Sequence, residues 1–231
     1  MAEAPWTLSR LIDEVKDDLE LHQEDFVTTR DLIKFVRHAI EDAQDIVIGC
    51  YSDFLKTFAD FDVTAGQTVL DLPEDIYDSR MRGFYYSDAG WDDPASNPYK
   101  IRKMRDVQAY DGEAYRYDLI NSSTDGQQLY IYPAITEASD NKFRLWYIRK
   151  FNIPTAMSDV LDKGLRVQYL LSHVKCAVML KEGDPMYDSE LAKLTAQQES
   201  MKMSLSSLTD DDENTILEPD DYALSMAGYD E

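Results

Sequence analysis

Apolar residues recur at helical spacing in the first 50 positions of the chain, which predicts two amphipathic helices. The apolar face of the first helix consists of Leu8, Leu11, Ile12, Val15 and Leu19. That of the second consists of Ile33, Val36, Ile40, Ala43 and Val47. Serine and threonine favour helix N-caps, so we expect Thr7 or Ser9 to begin the first helix. By the same reasoning Thr28 or Thr29 begins the second.

Between residues 53 and 154 apolar and polar residues alternate, which is typical of β-strands. A turn sequence at 64–67 separates two alternating runs and predicts a β-hairpin. Further strands are predicted at 81–87, 115–120, 128–132 and 142–149. The segment 88–98 is rich in Asp, Pro, Asn and Gly, which is typical of a long exposed loop.

Helical spacing returns after Pro154. The apolar face of the third helix consists of Val167, Leu170, Leu171, Val174, Ala177 and Val178. Gly183 predicts its end, and Pro185 predicts the start of a fourth helix, because proline is favoured at the first helical position. The face of that helix consists of Leu191, Leu194, Gln198, Met201, Leu205 and Leu208.

The order of these elements predicts an α+β fold in three parts. Residues 1–52 and 155–208 form a four-helix bundle, and residues 53–154 form an antiparallel β domain inserted between helices 2 and 3. Residues 209–231 form an acidic tail, with nine of the 45 acidic residues of the chain and no Lys or Arg.

The 231-residue chain has a net charge of −22, which disfavours a sequence-specific duplex binder because such proteins need a cationic footprint. The longest uncharged run has 11 residues, from Gly126 to Thr136, so no membrane span is expected. The first ten residues lack the pattern of a secretory signal, and none is expected. Cys50 and Cys176 lie far apart among apolar residues, which predicts two reduced, buried thiols.

Few patterns in the sequence indicate catalytic chemistry. The histidines and cysteines lack the spacing of metal ligands, and the glycines form no phosphate-binding motif. Neighbouring acids, such as Glu74 with Asp75 or Asp92 with Asp93, are compatible with a glycan hydrolase, but in a chain with 45 acidic residues they are far more typical of a solvated surface. We therefore predict no enzyme activity, and no catalytic, cofactor-binding or metal-binding residue.

Aromatic residues concentrate in the predicted β domain, where ten of the 15 tyrosines lie between Tyr77 and Tyr147. Alternation places Tyr130 and Tyr132 on the face of their strand opposite Leu129, and Trp146 opposite Leu145. A sheet with aromatic residues on both faces either has two cores or presents one face to a partner. Tyr130, Tyr132 and Trp146 are therefore candidate partner-binding residues.

Two charged segments each have two interpretations. The run Lys100, Arg102, Lys103 and Arg105 is either a solvated strand edge or a surface that pairs with an acidic partner. The acidic tail is either a solubilising appendage or a segment that folds on a partner. Its apolar residues favour docking, and the candidate partner-binding residues there are Ile216, Leu217, Tyr222, Leu224, Met226 and Tyr229.

The order of elements and three short segments resemble the head-to-tail adaptor proteins of tailed bacteriophages. The segments are Leu72-Pro73-Glu74-Asp75, Leu129-Tyr130-Ile131-Tyr132-Pro133 and Leu145-Trp146-Tyr147-Ile148-Arg149. The likeness is to the podophage type, called tail tubular protein A or head completion protein, and it covers residues 8–208.

This resemblance implies a structural protein of the virion, made in the host cytoplasm and located at the head–tail junction. It implies a homo-oligomeric ring, a dodecamer in such proteins, whose helical bundle lies beneath the portal protein. The β domain would face the tail nozzle or tail tube protein, and no cofactor is implied. DNA would pass through the ring without sequence-specific binding, to which an acidic subunit is suited because lysines would hold the phosphates. The alternatives are a virion-associated glycan hydrolase and an acidic module that mimics DNA.

Overall fold

A computed structural model describes residues 5–21, 26–94, 96–104, 114–122 and 126–212 of the chain. The four predicted helices are present: α1 (Leu8–Asp18), α2 (Thr29–Cys50), α3 (Val167–Glu182) and α4 (Tyr187–Asp212). Between α2 and α3 lie β1 (Lys56–Val63), β2 (Val69–Asp71), β3 (Ile76–Tyr86), β4 (Tyr99–Lys100), β5 (Arg102–Lys103), β6 (Arg116–Ser122), β7 (Gly126–Tyr132) and β8 (Ser139–Arg149). The predicted α+β class, with four helices and antiparallel sheets, is confirmed.

The first two helices begin at the predicted caps. The Thr7 hydroxyl accepts a hydrogen bond from the Arg10 N–H at 3.2 Å. Thr28 and Asp31 form a reciprocal capping box, in which each side chain accepts the other's backbone N–H. Hydrogen bonds from the Thr28 hydroxyl, from Lys181 and from the Thr28 backbone hold the pKa of Asp31 below its usual value. Local side-chain chemistry therefore fixes where α1 and α2 start.

The third helix ends at Gly183, whose φ of 70° lies in the left-handed region that glycine adopts readily. The prediction that Pro185 is the first residue of α4 is wrong, because α4 begins at Tyr187. Pro185 instead lies in a turn in which the Asp184 carboxylate accepts the Met186 N–H at 2.7 Å. This side-chain hydrogen bond competes with the first turn of a helix.

The helices bury their apolar faces against one another, and α3 packs against each of the other three. Its buried side chains are Tyr169, Leu170, Leu171, Ser172, Val174, Cys176, Val178 and Met179. The predicted faces are correct in outline, and most of their residues are buried. Five predicted residues are only half-buried, and Leu191 is exposed: the five are Leu19, Ile33, Val167, Ala177 and Gln198. In α2 the buried residue is Leu32 instead of Ile33. Burial of these faces is the main stabilising contribution, at about 25 cal/mol per Å² of apolar area.

The strands form two four-stranded sheets, and the predicted hairpin at 64–67 is wrong. The strand orders are β1-β8-β3-β4 and β2-β7-β6-β5. A turn does form, with Gly66 at a φ of 82° and the Gln67 N–H bonded to the Thr64 carbonyl. However, β1 pairs with β8 and β2 pairs with β7, so this turn connects the two sheets instead of two neighbouring strands. All pairs are antiparallel except β5–β6, which is parallel.

One apolar core receives side chains from both sheets. Its buried residues are Val63, Leu70, Ile76, Phe84, Ile101, Tyr115, Leu129, Ile131, Ile135, Phe143, Leu145 and Tyr147. The Phe84 ring stacks on Phe143 and meets the edge of Tyr117 across the core, at centroid distances of 5.9 and 5.8 Å. The strands thus have one shared core, and the outward side chains of each sheet are left to face solvent or a partner.

The chain divides into two compact units. The first, called the helical unit below, comprises residues 1–52 and 152–231, and the second, called the β unit, comprises residues 53–151. Within the described part of the helical unit, the Leu161 N–H bonds to the Trp6 carbonyl, and Thr7 forms a β-bridge with Val160. The segment before α3 is thereby held against the start of α1.

Candidate partner-binding surfaces

Aromatic side chains gather on the outer face of the β1-β8-β3-β4 sheet, in a cluster called the aromatic surface below. Its members are Phe58, Tyr85, Trp91, Arg144 and Trp146. The Phe58 and Trp146 rings lie 5.1 Å apart, because Phe58 of β1 is directly opposite Trp146 of β8. Phe58 is 45% exposed although it is a large apolar side chain. Aromatic side chains with exposed area are typical of protein interfaces.

Arg144 fixes the geometry of the aromatic surface. Its Nε and Nη2 atoms donate to the two carboxylate oxygens of Asp60 at 2.6 and 2.7 Å. Its guanidinium carbon lies 3.9 Å from the centre of the Phe58 ring and 4.3 Å from the centre of the Trp91 ring. The Asp60 carboxylate and the two rings already hold this planar cation in place. Arg144 therefore loses little further conformational entropy when a partner binds.

Trp91 joins the aromatic surface from the loop that follows β3. The segment 88–98 was predicted to be a long exposed loop, and Asp92, Asp93 and Pro94 are indeed exposed. Trp91, however, returns to the sheet: its backbone N–H donates to the Asn141 carbonyl at 3.3 Å, and the centre of its ring lies 6.3 Å from that of Tyr85. The Ser87 and Ser96 hydroxyls share a hydrogen bond of 2.6 Å that closes this loop.

A glycine makes room for the aromatic surface. Gly83 of β3 lies opposite Trp146, and a Cβ atom at this position would come within 2.5 Å of the Tyr85 ring. At the same end of the sheet, Asp53 accepts a hydrogen bond from Arg82 at 2.5 Å and lies 3.8 Å from Lys56. The Lys56 ammonium is 5.8 Å from the centre of the Trp146 ring. The cations around the rings therefore have carboxylate partners.

Tyr130 and Tyr132 lie on the other sheet, in β7. Their neighbours Leu129 and Ile131 point into the core with 0% exposure, so the two tyrosines point outward, where they are half-buried. Alternation places Val69, Arg116, Asp118 and Ile120 on the same outer face, since Tyr130 is in register with Val69 and Asp118, and Tyr132 with Arg116. We call these six residues the tyrosine face. The structure does not bring Trp146 together with Tyr130 and Tyr132, because they occupy outer faces of different sheets.

The other candidate residues are described only in part. Lys100, Arg102 and Lys103 are exposed on β4 and β5, and the Lys103 ammonium lies 3.8 Å from the Asp118 carboxylate. Arg105 and the tail residues from Ile216 to Tyr229 lie outside the described residues. Phe58, Trp91 and Arg144 were not among the predicted partner-binding residues. The signal for Phe58 was present in the alternation of β1, where it lies on the face opposite Ala59 and Phe61.

Of the acidic residues singled out in the sequence, Asp75 has a side-chain hydrogen bond to the β unit. Asp75 accepts a hydrogen bond from the Tyr147 hydroxyl at 2.8 Å, and burial together with this carboxylate raises the pKa of Tyr147. Within the described ranges, no group of three or more His, Cys, Asp and Glu side chains is placed to hold a metal ion. His173 contacts the Asp42 carboxylate through Nε2 at 2.7 Å, which links α3 to α2.

Both cysteines are free, as predicted, but only Cys176 is buried, because Cys50 at the end of α2 is half-buried. Burial and the nearby Glu190 carboxylate raise the pKa of the Cys176 thiol to about 11, which leaves it protonated and unreactive at neutral pH. Among the described helices, none is long and apolar enough to cross a membrane.

Comparison with protein families identifies the chain. Residues 6–221 match the model of the SU10 adaptor protein family, so the chain belongs to that family. A search of curated proteins found no match. SU10 adaptor proteins are structural phage proteins, which confirms an adaptor-type protein of a phage virion that interacts with other head or tail components.

Proposed function

We propose that this SU10 adaptor protein is a head-to-tail adaptor of the podophage type, which forms a ring between the portal protein and the tail. The observation that carries the proposal is the family match over residues 6–221. The arrangement of elements supports it: the strands of the β unit lie between α2 and α3, as an insertion into the helical bundle requires. The helical bundle would lie at the portal, and the β unit would face the tail nozzle or tail tube protein.

The charge of the subunit supports a role beside moving DNA. Each copy carries −22, so a ring of copies creates a negative potential around its channel. DNA phosphates release counterions when they bind lysine and arginine, and this release favours binding. An acidic channel surface offers few such cations, so the favourable free energy of counterion release is small there. We therefore propose that DNA passes through the ring without being held.

The acidic tail supplies a second part of the proposal. Ile216, Leu217, Tyr222, Leu224, Met226 and Tyr229 alternate with carboxylates, and we propose that they dock in apolar pockets of the portal protein. The acidic residues between them would meet basic side chains at the rim of those pockets. The outward Tyr130, Tyr132 and Trp146 of the β unit are proposed to contact protein as well, since such half-exposed aromatic residues are enriched at interfaces.

Co-sedimentation with portal rings from the same phage tests this proposal. The full chain should sediment with the portal and should not sediment alone. A matched sample with bovine serum albumin, another acidic protein, controls for non-specific attachment. If the chain stays in the supernatant at every salt concentration at which the portal ring is intact, the adaptor role is wrong.

A further inference from the structure

One edge of the β unit is a long strand with a neighbouring strand on one side only. The edge strands of the two sheets are β1, β2, β4 and β5, which have 8, 3, 2 and 2 residues. The pairing of β1 with β8 is regular from Lys56 to Phe61. An edge strand offers a row of N–H and C=O groups to a further strand. Among the described strands, β1 is therefore the edge best suited to accept one.

The backbone groups of alternate β1 residues point to this open edge. The Arg149 N–H donates to the Leu55 carbonyl at 3.1 Å, so Leu55 and every second residue after it direct their backbone groups toward β8. Phe58, Asp60 and Asp62 therefore direct their N–H and C=O groups away from β8. Within the described residues, these outward groups form no hydrogen bond.

The side chains of β1 are complementary to those of a second, antiparallel copy of β1. Lys56 and Asp62 are exposed near the two ends of the strand. The Lys56 ammonium lies 3.8 Å from the Asp53 carboxylate, and Asp62 has no salt bridge within the described part of the chain. When two copies of β1 are antiparallel and centred on Ala59, Lys56 of each copy lies opposite Asp62 of the other. Opposite charges at such positions stabilise strand pairing.

The other charges around this edge cancel. Apart from Lys56 and Asp62, three carboxylates and three cations lie on the outer face of β1 and β8 or pair at the start of β1. They are Asp53, Asp60, Asp140, Arg82, Arg144 and Lys142. Two of these carboxylates already form salt bridges with the two arginines. Lys100 lies on β4, at the opposite edge of the sheet. No net charge at this edge therefore opposes the approach of a second copy.

The β unit is also less charged than the rest of the chain. It has 12 Lys and Arg against 17 Asp and Glu, so it carries −5 of the net charge of −22. At physiological salt, charges further apart than about 8 Å are largely screened from each other. Two acidic copies thus meet with less repulsion through the β unit than through the helical unit.

We propose that the free protein pairs with a second copy through β1, with the two strands antiparallel and centred on Ala59. In this register the outward N–H groups of Phe58, Asp60 and Asp62 all donate to carbonyl groups of the second copy. A register centred on Phe58 leaves Asp62 without an opposite residue. A register centred on Asp60 places the two Asp60 residues opposite each other, which is unfavourable for like charges.

The proposed pair has two-fold symmetry and closes after two copies. It is therefore distinct from the head-to-tail contact between neighbours in a ring, and it describes the protein before assembly. A strand from another protein would offer the same backbone groups to β1. The pairing of Lys56 with Asp62, which symmetry repeats at both ends, favours a second copy of this chain as the occupant.

Disulfide formation between two variants of the full chain tests the register. One variant carries Lys56→Cys, and the other carries Asp62→Cys with a tag that changes its size. Opposite residues of antiparallel strands have Cα atoms about 5.5 Å apart, which a disulfide can span. Two Lys56→Cys sites lie about 20 Å apart in the proposed pair. Oxidation should therefore give mixed adducts and none between like variants, above the background that wild-type protein shows from Cys50 and Cys176.

Charge reversal gives a second readout, the dissociation constant of the pair from sedimentation equilibrium at physiological salt. Lys56→Asp should raise this constant about tenfold, because two favourable cross-strand pairs become unfavourable. The double variant with Lys56→Asp and Asp62→Lys should restore the wild-type value, since the charges are exchanged between the strands. Lys202→Asp is the matched control, because it makes the same change on an exposed residue of α4 and should have no effect. Circular dichroism checks that each variant is folded.

Three results would each overturn the inference: wild-type protein that is monomeric at every concentration, a pair that gives no mixed adducts, or a double variant as weak as Lys56→Asp. Portal co-sedimentation of the same samples reports separately on the adaptor role. Protein that binds the portal but stays monomeric in solution keeps the adaptor role and loses the pair. Protein that pairs through β1 but does not bind the portal keeps the pair and loses the adaptor role.

Discussion

Arg144 of β8 and Asp60 of β1 form a two-pronged salt bridge, with distances of 2.6 Å from Nε to Oδ1 and 2.7 Å from Nη2 to Oδ2. The two residues are 84 positions apart in the chain and directly opposite each other in the sheet. Their side chains are only 14% and 22% exposed, so water does little to replace either partner. The bridge therefore ties two adjacent strands and orders the rings above them.

Arg144→Lys should destabilise the β unit. Lysine keeps the charge but lacks the planar fork that matches the Asp60 carboxylate and contacts the Phe58 and Trp91 rings. We expect a loss of about 1–3 kcal/mol, seen as a lower urea midpoint in tryptophan fluorescence. Glu199→Gln is the control, because solvent screens the exposed pair of Glu199 with Lys202, and its loss should move the urea midpoint little. Equal effects of the two substitutions would mean that the bridge has no special role.

Val174→Asp should unfold the helical unit. Val174 is 0% exposed at the centre of α3, where a carboxylate would have no partner and no water. The expected cost is on the order of several kcal/mol, measured as loss of helical circular dichroism at room temperature. Leu180→Asp places the same change on an exposed residue of the same helix, and it should remain folded. A Val174→Asp protein that melts like wild type would show that this helix face is assigned wrongly.

The capping box of α2 predicts how stability depends on pH. The Thr28 hydroxyl and Lys181 hold the pKa of Asp31 below its usual value, so the folded state favours the carboxylate. This stabilisation is present at neutral pH and is lost as the pH falls below about 4, toward the lowered pKa. Asp31→Asn should therefore lower the stability of the helical unit at neutral pH. It should also reduce the further loss of stability between neutral and acid pH, as measured by urea midpoints.

Thr28→Ala changes the other residue of the same capping box. It removes the hydroxyl that accepts the Asp31 N–H, and it should cost about 1 kcal/mol at neutral pH. The difference from wild type should shrink in acid, because protonated Asp31 no longer complements the cap. A variant that keeps the full acid dependence of wild type would contradict the role of Thr28 in the pKa of Asp31.

The free protein should not retain duplex DNA at physiological salt, since its charge is −22. A gel shift at micromolar protein checks this. A retarded band that weakens with added salt would contradict the expectation, because such salt dependence indicates phosphate contacts. In that case a variant with Lys100, Arg102 and Lys103 changed to Glu would show whether the basic run on β4 and β5 is responsible.

Deletion of residues 210–231 should leave the fold intact and weaken attachment to the portal. The deletion removes three residues of α4 and the proposed docking segment. Tyr222→Ala with Leu224→Ala should weaken binding in part, because several anchors act together in a segment that folds on binding. Circular dichroism reports on the fold, and portal co-sedimentation reports on attachment. If the shortened protein binds as tightly as the full chain, the tail has only a solubilising role.

The helices could be predicted from the sequence because their determinants are local. Thr28 caps a helix through a residue three positions away, and the spacing around Val174 gives the buried face of α3 directly. The sheet pairing could not be predicted in this way. The turn at 64–67 is correct as a turn, but whether β2 pairs with β1 or β7 depends on which sheet buries Leu70 and Leu129 together.

The contacts of the aromatic surface could not be predicted from local sequence patterns either. Alternation in β1 and β8 separates Phe58 and Trp146 from the core, but their contact depends on β1 and β8 being neighbours in the sheet. Trp91 reaches the surface from a loop whose composition indicates only exposure, and the Ser87–Ser96 hydrogen bond that closes this loop is invisible in the sequence. Local patterns thus indicate which side chains point outward. Which of these side chains meet depends on strand pairing and loop closure between distant parts of the chain.

Electron microscopy of portal rings mixed with the purified protein shows whether the chain forms a ring on the portal. We expect a second ring of density on one end of the portal, coaxial with it, with an open channel and the β units at the end away from the portal. Two-dimensional class averages with and without the protein would reveal it. Portal particles that are unchanged by an excess of folded protein, or that bind it off the axis, would contradict the proposed adaptor role.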